Sequence, residues 1–156
     1  MKLRVTILFC FFILSACQVN EADTVVLNEG NPEITIKLNN EEITTFTSIY
    51  CWNDCAGNEQ FSQIDLTELT KGLEPIWIAS GTEVEVTTSI ADELIKVSYF
   101  KQKSNNFVQE FLDSNVFDIH GREGLQQYMV VVDWYDPNRE TLIGRAGTNF
   151  VVEIGK

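Results

Sequence analysis

The sequence predicts an all-β domain, folded as an antiparallel β-sandwich with at most one short helix. Several segments alternate apolar and polar residues with a period of two, which is typical of strands that bury one face. β-branched and aromatic residues dominate these segments, and Gly, Pro, Asn and Ser turns separate them. Seven or so short strands bounded by turns indicate two packed sheets rather than an α/β fold.

Five segments show the alternation most clearly: Glu33–Asn39, Glu83–Ser89, Glu93–Phe100, Gln126–Asp136 and Thr148–Ile154. In the fourth we expect Tyr128, Val130, Val132 and Trp134 to share one face. Turn residues include His120 with Gly121, and also Gly144 and Gly147. The one helical candidate is SQIDLTELTKGL (62–73), where apolar residues recur loosely at helical spacing before Gly72.

The C-terminal stretch carries a resemblance to a known fold family. A long aromatic strand from Tyr128 to Trp134, a turn at DPNRE and a closing strand resemble the last hairpin of immunoglobulin-like domains. The resemblance is one of pattern, covers the chain from Gly81 on, and lacks the cysteine pair that bridges the sheets in antibody domains. It implies an immunoglobulin-like sandwich over residues 33–156 and no particular function.

The first 17 residues have the anatomy of an export signal. A cationic start with Lys2 and Arg4 precedes the apolar run Val5–Leu14. Ten residues span about 15 Å as a helix, roughly half of a bilayer core, so this run is too short for a stable transmembrane helix. The order of charged and apolar parts fits a secretory signal peptide.

Leu14-Ser15-Ala16-Cys17 follows this run and resembles the lipobox of bacterial lipoproteins. The resemblance implies that Cys17 receives a diacylglyceryl group, with cleavage just before it, so that 1–16 is the signal peptide. Polar residues 17–32 would form a flexible tether. Gln18, in place of an inner-membrane sorting Asp, implies the outer membrane if the organism is diderm. The alternatives are an uncleaved signal anchor, or a plain secretory signal in which Cys17 is incidental.

The net negative charge of the chain limits the kinds of molecule that it can bind. Eleven Lys and Arg stand against 23 Asp and Glu, a formal net charge of −12, and two of the cations lie in the leader. Such an acidic surface repels phosphate backbones, so we expect no nucleic-acid partner.

Cys51 and Cys55 are predicted to form a local disulfide, because thiols oxidise outside the cytoplasm. Free or metal-binding thiols and redox chemistry are the alternatives. The usual dithiol motif has two intervening residues, whereas three lie here. A zinc site would need two more ligands, and His120, expected in a turn, is the only histidine.

Two tryptophans, Trp52 within the cysteine loop and Trp77, are candidate contact residues, with core packing as the alternative. Asp133, Asp136, Asn138 and Glu140 supply oxygen ligands suited to calcium, yet their spacing departs from the calcium-loop pattern and also fits an ordinary turn. No Gly-x-Ser-x-Gly elbow and no Gly-rich phosphate loop occurs. We therefore predict no catalytic residues and no cofactor.

These features together predict a membrane-anchored, extracytoplasmic binding or protein-interaction module whose partner is an envelope protein or a small ligand, and not an enzyme. An accessory or inhibitor protein of an envelope enzyme, using the Cys51–Cys55 loop as its contact, is the alternative. A surface hydrolase is disfavoured by the single histidine. A solute-binding component of a transporter is disfavoured because a single sandwich has no second lobe.

Overall fold

The computed structural model of this protein describes residues 32–52, 55, 65–90, 95–103, 106–136 and 141–155. The predicted signal peptide, Cys17 and the tether up to residue 31 lie outside these residues. The described part contains ten strands, β1 (Ile34–Leu38), β2 (Glu41–Glu42), β3 (Phe46–Trp52), β4 (Ile76–Ala79), β5 (Thr82–Thr88), β6 (Ile95–Lys103), β7 (Asn106–Leu112), β8 (Val116–Ile119), β9 (Gly124–Tyr135) and β10 (Leu142–Gly155), and one helix, α1 (Leu66–Leu69). In these residues no helix has the length and apolarity needed to cross a membrane.

The strands form two packed sheets, as predicted. One sheet has the order β2-β1-β5-β8, and the other has the order β3-β10-β9-β6-β7, with β4 also paired to β10. The neighbours β5 and β8 match the B and E strands of immunoglobulin-like domains, and β10-β9-β6-β7 match G-F-C-C′. The expected all-β, mostly antiparallel two-sheet sandwich is thereby confirmed.

The sandwich departs from a purely antiparallel arrangement at β4. This strand runs parallel to β10, from Ile76 opposite Val152 to Ala79 opposite Gly155. β10 is 14 residues long, and β3 covers the same edge only from Gly144 to Asn149. The part of β10 that extends beyond β3 is therefore free to accept a second, short strand.

Gly144 and Gly147, expected in turns, lie inside β10 instead. The strand begins at Leu142, and its register against β3 shifts between Gly147 and Thr148. A glycine within a strand commonly marks such an irregularity or a close approach of neighbouring groups, and Gly144 is an example of the latter.

The main core lies between the sheets. Tyr128, Val130, Val132 and Trp134 all face it, as the alternation predicted, and each is at most 1% exposed. Tyr99 of β6 stacks on Phe117 of β8 with ring centroids 4.4 Å apart, which joins the two sheets. Burial of an apolar side chain of this size contributes about 1.5–3 kcal/mol, so these inward residues hold the sandwich together.

A second, smaller core covers the outer face of the β9-containing sheet. Leu66 of α1 packs with Phe100, Met129 and Val131. The helix is a single turn, shorter than the predicted 62–73, of which 62–64 lie outside the described residues. Asp65 begins it by accepting a hydrogen bond from the Thr67 backbone N–H at 2.9 Å. β9 is consequently buried on both faces.

Candidate functional site

Cys51 and Cys55 form the predicted disulfide, with Cα atoms 5.3 Å apart. Cys51 lies on β3 opposite Arg145 of β10, and both cysteines are buried. Because Cys55 is only four residues further along the chain, the bridge closes a small loop where β3 ends. The disulfide thus holds Cys55 next to the end of β3.

Trp52 follows Cys51 and faces the opposite way, into the sandwich. It lies opposite Gly144 and packs edge to face on Trp134, with ring centroids 5.7 Å apart. Its Nε1 is buried and has no hydrogen-bond partner in the structure. This placement corresponds to the packing alternative of the sequence analysis, since the ring contacts the core.

Trp77, the second candidate contact residue, is 71% exposed on β4. It lies opposite Glu153 of β10, which in turn lies opposite Leu125 of β9, and Leu125 is 57% exposed. Directly opposed residues project from the same face of a sheet, and neighbouring strands are about 4.8 Å apart. Trp77, Glu153 and Leu125 therefore form one exposed row, which we call the Trp77 row.

The Trp77 ring leans along the strand direction, towards the last residue of β10. A Cβ atom built on Gly155 would lie 3.5 Å from two carbons of the indole ring. The side chain thus rests on the backbone of β10, a rigid strand, while most of its surface faces solvent.

Asp133, a candidate calcium ligand, is paired with a cationic side chain of the protein itself, Arg145. Arg145 donates from Nε to one carboxylate oxygen at 2.5 Å and from a terminal nitrogen to the other at 2.7 Å. The two side chains are only 15% and 14% exposed. The hydrogen bond to Asp133 raises the pKa of Arg145, although burial opposes this, so the guanidinium stays charged.

The other calcium candidates do not join Asp133 in the described residues. Asn138 and Glu140 lie outside them, and the backbone N–H of Asp136 donates to the Thr141 carbonyl at 2.9 Å. Within the ranges that the structure describes, no three His, Cys, Asp or Glu side chains are grouped to hold a metal ion.

A cleft that the sequence did not indicate opens at one end of the sandwich. Its volume is about 400 Å³, and its lining combines Val86, Ile95, Val97 and Leu112 with Thr87, Thr88, Asp113, Ser114 and Asn115. The polar rim is largely engaged by its own backbone: Thr88 donates to the Ile90 carbonyl, and Asn115 donates to the Val86 carbonyl. Three separate chain segments contribute, so no local motif marks this cleft.

Comparison with protein-family models, with curated proteins and with solved structures gave no match. The function of the protein must for this reason be inferred from its residues and their placement. The described geometry offers the exposed Trp77 row on the larger sheet, and the same sheet contains the buried Arg145–Asp133 ion pair, which links β9 and β10. Such an arrangement suits recognition of another molecule by surface contact.

Proposed function

We propose that this protein is a small lipoprotein anchored through Cys17 on the extracytoplasmic face of a membrane, where its sandwich domain serves as a protein-interaction module. The support for the anchor is the cationic start, the short apolar run and the lipobox-like Leu14-Ser15-Ala16-Cys17. Two acyl chains are sufficient for durable membrane attachment. The polar tether, residues 17–32, then lets the domain reach a partner away from the lipid surface.

The observation that carries the interaction role is the exposure of Trp77. A tryptophan 71% exposed on a strand leaves a large apolar surface in water, and Leu125 extends that surface along the Trp77 row. Tryptophan is among the residues most enriched at the energetic centres of protein interfaces. A rigid strand beneath it also reduces the entropy lost on binding.

The chemistry of the Trp77 row indicates what kind of surface its partner has. Glu153 lies between the two apolar side chains, and the whole chain carries a net charge of −12. A complementary surface has an apolar pocket for the indole ring, bordered by Lys or Arg side chains. We propose an envelope protein with such a pocket as the partner.

The anchor is tested by Cys17→Ala, with Cys10→Ala as the matched control. We expect Cys17→Ala to be released from membranes or left unprocessed, because the acceptor thiol is gone. Cys10→Ala removes a thiol from the apolar run, and we expect it to be processed and anchored normally. Membrane fractionation and intact mass measure both effects. Normal processing and full membrane retention of Cys17→Ala would refute the anchor.

The contact is tested by a photo-crosslinking amino acid placed at position 77 in the envelope of the native host. The same amino acid at Val116, an exposed residue in the opposite sheet, is the control. We expect one discrete protein adduct from position 77 that position 116 does not give. Trp77→Ala should weaken recovery of that protein, and equal adducts from both positions would contradict the proposal.

A further inference from the structure

Among the residues that the structure describes, β7 is an edge strand of the larger sheet. It pairs with β6 from Lys103 opposite Asn106 to Val97 opposite Leu112, without a shift of register, and the sheet order ends with β7. Within the described residues no strand lies on its far side. Along the seven residues of β7, alternate residues thus present their backbone N–H and C=O groups at this edge.

The loop length determines which of these groups face outward. Only residues 104 and 105 separate the Lys103–Asn106 pair, and in a two-residue hairpin the flanking pair is the hydrogen-bonded one. Hydrogen-bonded and non-hydrogen-bonded pairs then alternate along the ladder. The backbone groups of Phe107, Gln109 and Phe111 consequently point away from β6, towards the free edge.

This edge lacks most of the features by which proteins usually prevent strand addition, and its one core-side charge, Glu110, is neutralised by a lysine. Exposed edges carry Lys, Pro or a bulge, and β7 (NFVQEFL) has none of these. Its one charged residue, Glu110, lies in register with Tyr99 on the core side, accepts a hydrogen bond from the Tyr99 hydroxyl and pairs with Lys101 at 2.7 Å. Phe111, by contrast, is 74% exposed.

The residues that face the free edge form a palindrome. Phe107, Gln109 and Phe111 read the same in both chain directions. A strand that pairs antiparallel with a copy of itself meets its own sequence reversed, so a palindrome is self-complementary about its central residue. An unrelated strand has no reason to match this pattern.

We propose that β7 pairs antiparallel with β7 of a second copy of this chain, about a two-fold axis at Gln109. Gln109 then lies opposite the partner's Gln109, and Phe107 lies opposite the partner's Phe111. All three outward-facing residues of each strand exchange main-chain hydrogen bonds in this register. The two larger sheets join into one continuous sheet.

Side chains agree with this register on both faces. On the helix-covered face each exposed Phe111 gains a cross-strand aromatic neighbour, a favourable pair in antiparallel sheets. On the core side Val108 lies opposite the partner's Glu110, so the two carboxylates do not face each other.

The charges at this edge favour contact between two acidic copies. The β6–β7 hairpin carries Lys96, Lys101 and Lys103 against the single acid Glu110, in a chain of net charge −12. Repulsion between copies is accordingly weaker at this hairpin than the net charge of the chain implies. The pairing uses neither Cys17 nor the Trp77 row. It can therefore be correct or wrong independently of the proposed function.

Gln109→Cys tests the axis directly. The Cα atoms of an antiparallel hydrogen-bonded pair are about 5.5 Å apart, within the roughly 4.4–6.8 Å that a disulfide spans. We expect the full chain in membranes of an expressing bacterium to give a reducible dimer on mild oxidation. Asp118→Cys, at a position of β8 that is also exposed, is the control and should give no more dimer than the wild type.

Gln109→Pro and Gln109→Ala form the second test. Proline removes an outward N–H and leaves the β6 ladder intact, whereas alanine keeps the backbone donor. In sedimentation equilibrium of the full chain in detergent we expect wild type, Gln109→Ala and Trp77→Ala to be dimeric and Gln109→Pro to be monomeric. Near-ultraviolet circular dichroism checks that Gln109→Pro is folded. If this variant is unfolded, the cross-linking of Gln109→Cys alone tests the dimer.

Two results would overturn the proposal. The first is a monomeric wild type together with a Gln109→Cys variant that forms no reducible dimer. The second is a Gln109→Cys variant whose disulfide adduct contains a different protein in place of a second copy of this chain.

Discussion

The indole rings of Trp52 and Trp134 meet edge to face, with centroids 5.7 Å apart and planes inclined by 78°. They come from β3 and β9, the two strands on either side of β10, and Gly144 of β10 lies opposite both. A residue with a side chain at position 144 would project between the rings. The contact between the two tryptophans thus depends on the missing Cβ atom of Gly144.

Gly144→Ala should therefore destabilise the domain. The added Cβ atom would lie 2.0 Å from Cζ3 and 2.2 Å from Cε3 of Trp52, so the ring or the strand must move. Overpacking of this kind costs about 1–3 kcal/mol in free energy of unfolding. Urea unfolding followed by tryptophan fluorescence measures the loss and reports on the displaced ring.

Gly155→Ala is the matched control in the same strand. Its Cβ atom would meet the Trp77 ring at 3.5 Å, an ordinary van der Waals distance. We expect its free energy of unfolding to stay close to that of the wild type. Equal stability of the two variants would show that Trp52 can move aside at little cost.

The Arg145–Asp133 pair supports a second prediction. Asp133→Ala leaves a guanidinium that is 15% exposed without the carboxylate that it binds through two nitrogens. Removing one partner of a buried ion pair costs about 3–5 kcal/mol, and the residual exposure here places the expected loss near the lower end, about 3 kcal/mol. Chemical denaturation at neutral pH measures it.

Glu85→Ala provides the comparison for a surface pair. Glu85 bonds Lys37 at 3.3 Å, and both side chains are about one-third exposed. Exposed pairs contribute roughly 0–1 kcal/mol, so this variant should lose little. If Asp133→Ala loses no more than Glu85→Ala, Arg145 finds another partner or water once the carboxylate is gone.

The sequence indicated the strands that bury one face and alternate over several residues. β1, β5 and β9 lie within two residues of their expected positions, because each pairs through most of its length and directs every second residue inward. β9 also buries Met129 and Val131 under α1, so its run is nearly continuous in apolar residues. The length and aromatic content of β9 nevertheless identified it as a strand.

The elements that sequence reasoning missed depend on neighbours that no local pattern reveals. β4 has four residues, too few to show a period, and its parallel pairing arises from the part of β10 that extends beyond β3. The exposure of Trp77 follows from the same placement. The disulfide was predictable from the close spacing of its two cysteines and from the expected export of the chain, whereas the cleft assembles residues from three chain segments.

Cys51→Ser should lower stability without unfolding the domain. The bridge closes a loop between residues only four positions apart, and chain-entropy arguments give about 2 kcal/mol for so short a loop. The melting temperature measures the change. Reduction of the wild type should produce the same shift, and complete unfolding of either form would mean that the bridge holds β3 far more strongly than loop closure explains.

Two buried phenols predict a loss of stability at alkaline pH. Burial raises the pKa of Tyr128 to about 12, with Tyr99 and Glu110 adding to the effect and Lys101 opposing it. The pKa of Tyr99 is also raised, first by burial and then by its hydrogen bond to Glu110. The folded state thus favours the neutral phenols, whereas the unfolded chain releases these protons near pH 10.

The sign of the effect follows from proton counting. Below pH 10 both states hold the phenol protons, and the stabilisation is fully present. As pH rises from 10 towards 12, Tyr128 loses its proton in the unfolded state but keeps it in the folded state. The free energy of unfolding therefore falls by about 1.4 kcal/mol per pH unit for that residue. Urea unfolding at a series of pH values from about 8 to 11 tests this. Because Tyr128→Phe has no phenol to ionise, its stability should fall less steeply above pH 10, and parallel profiles for variant and wild type would count against a raised pKa at Tyr128.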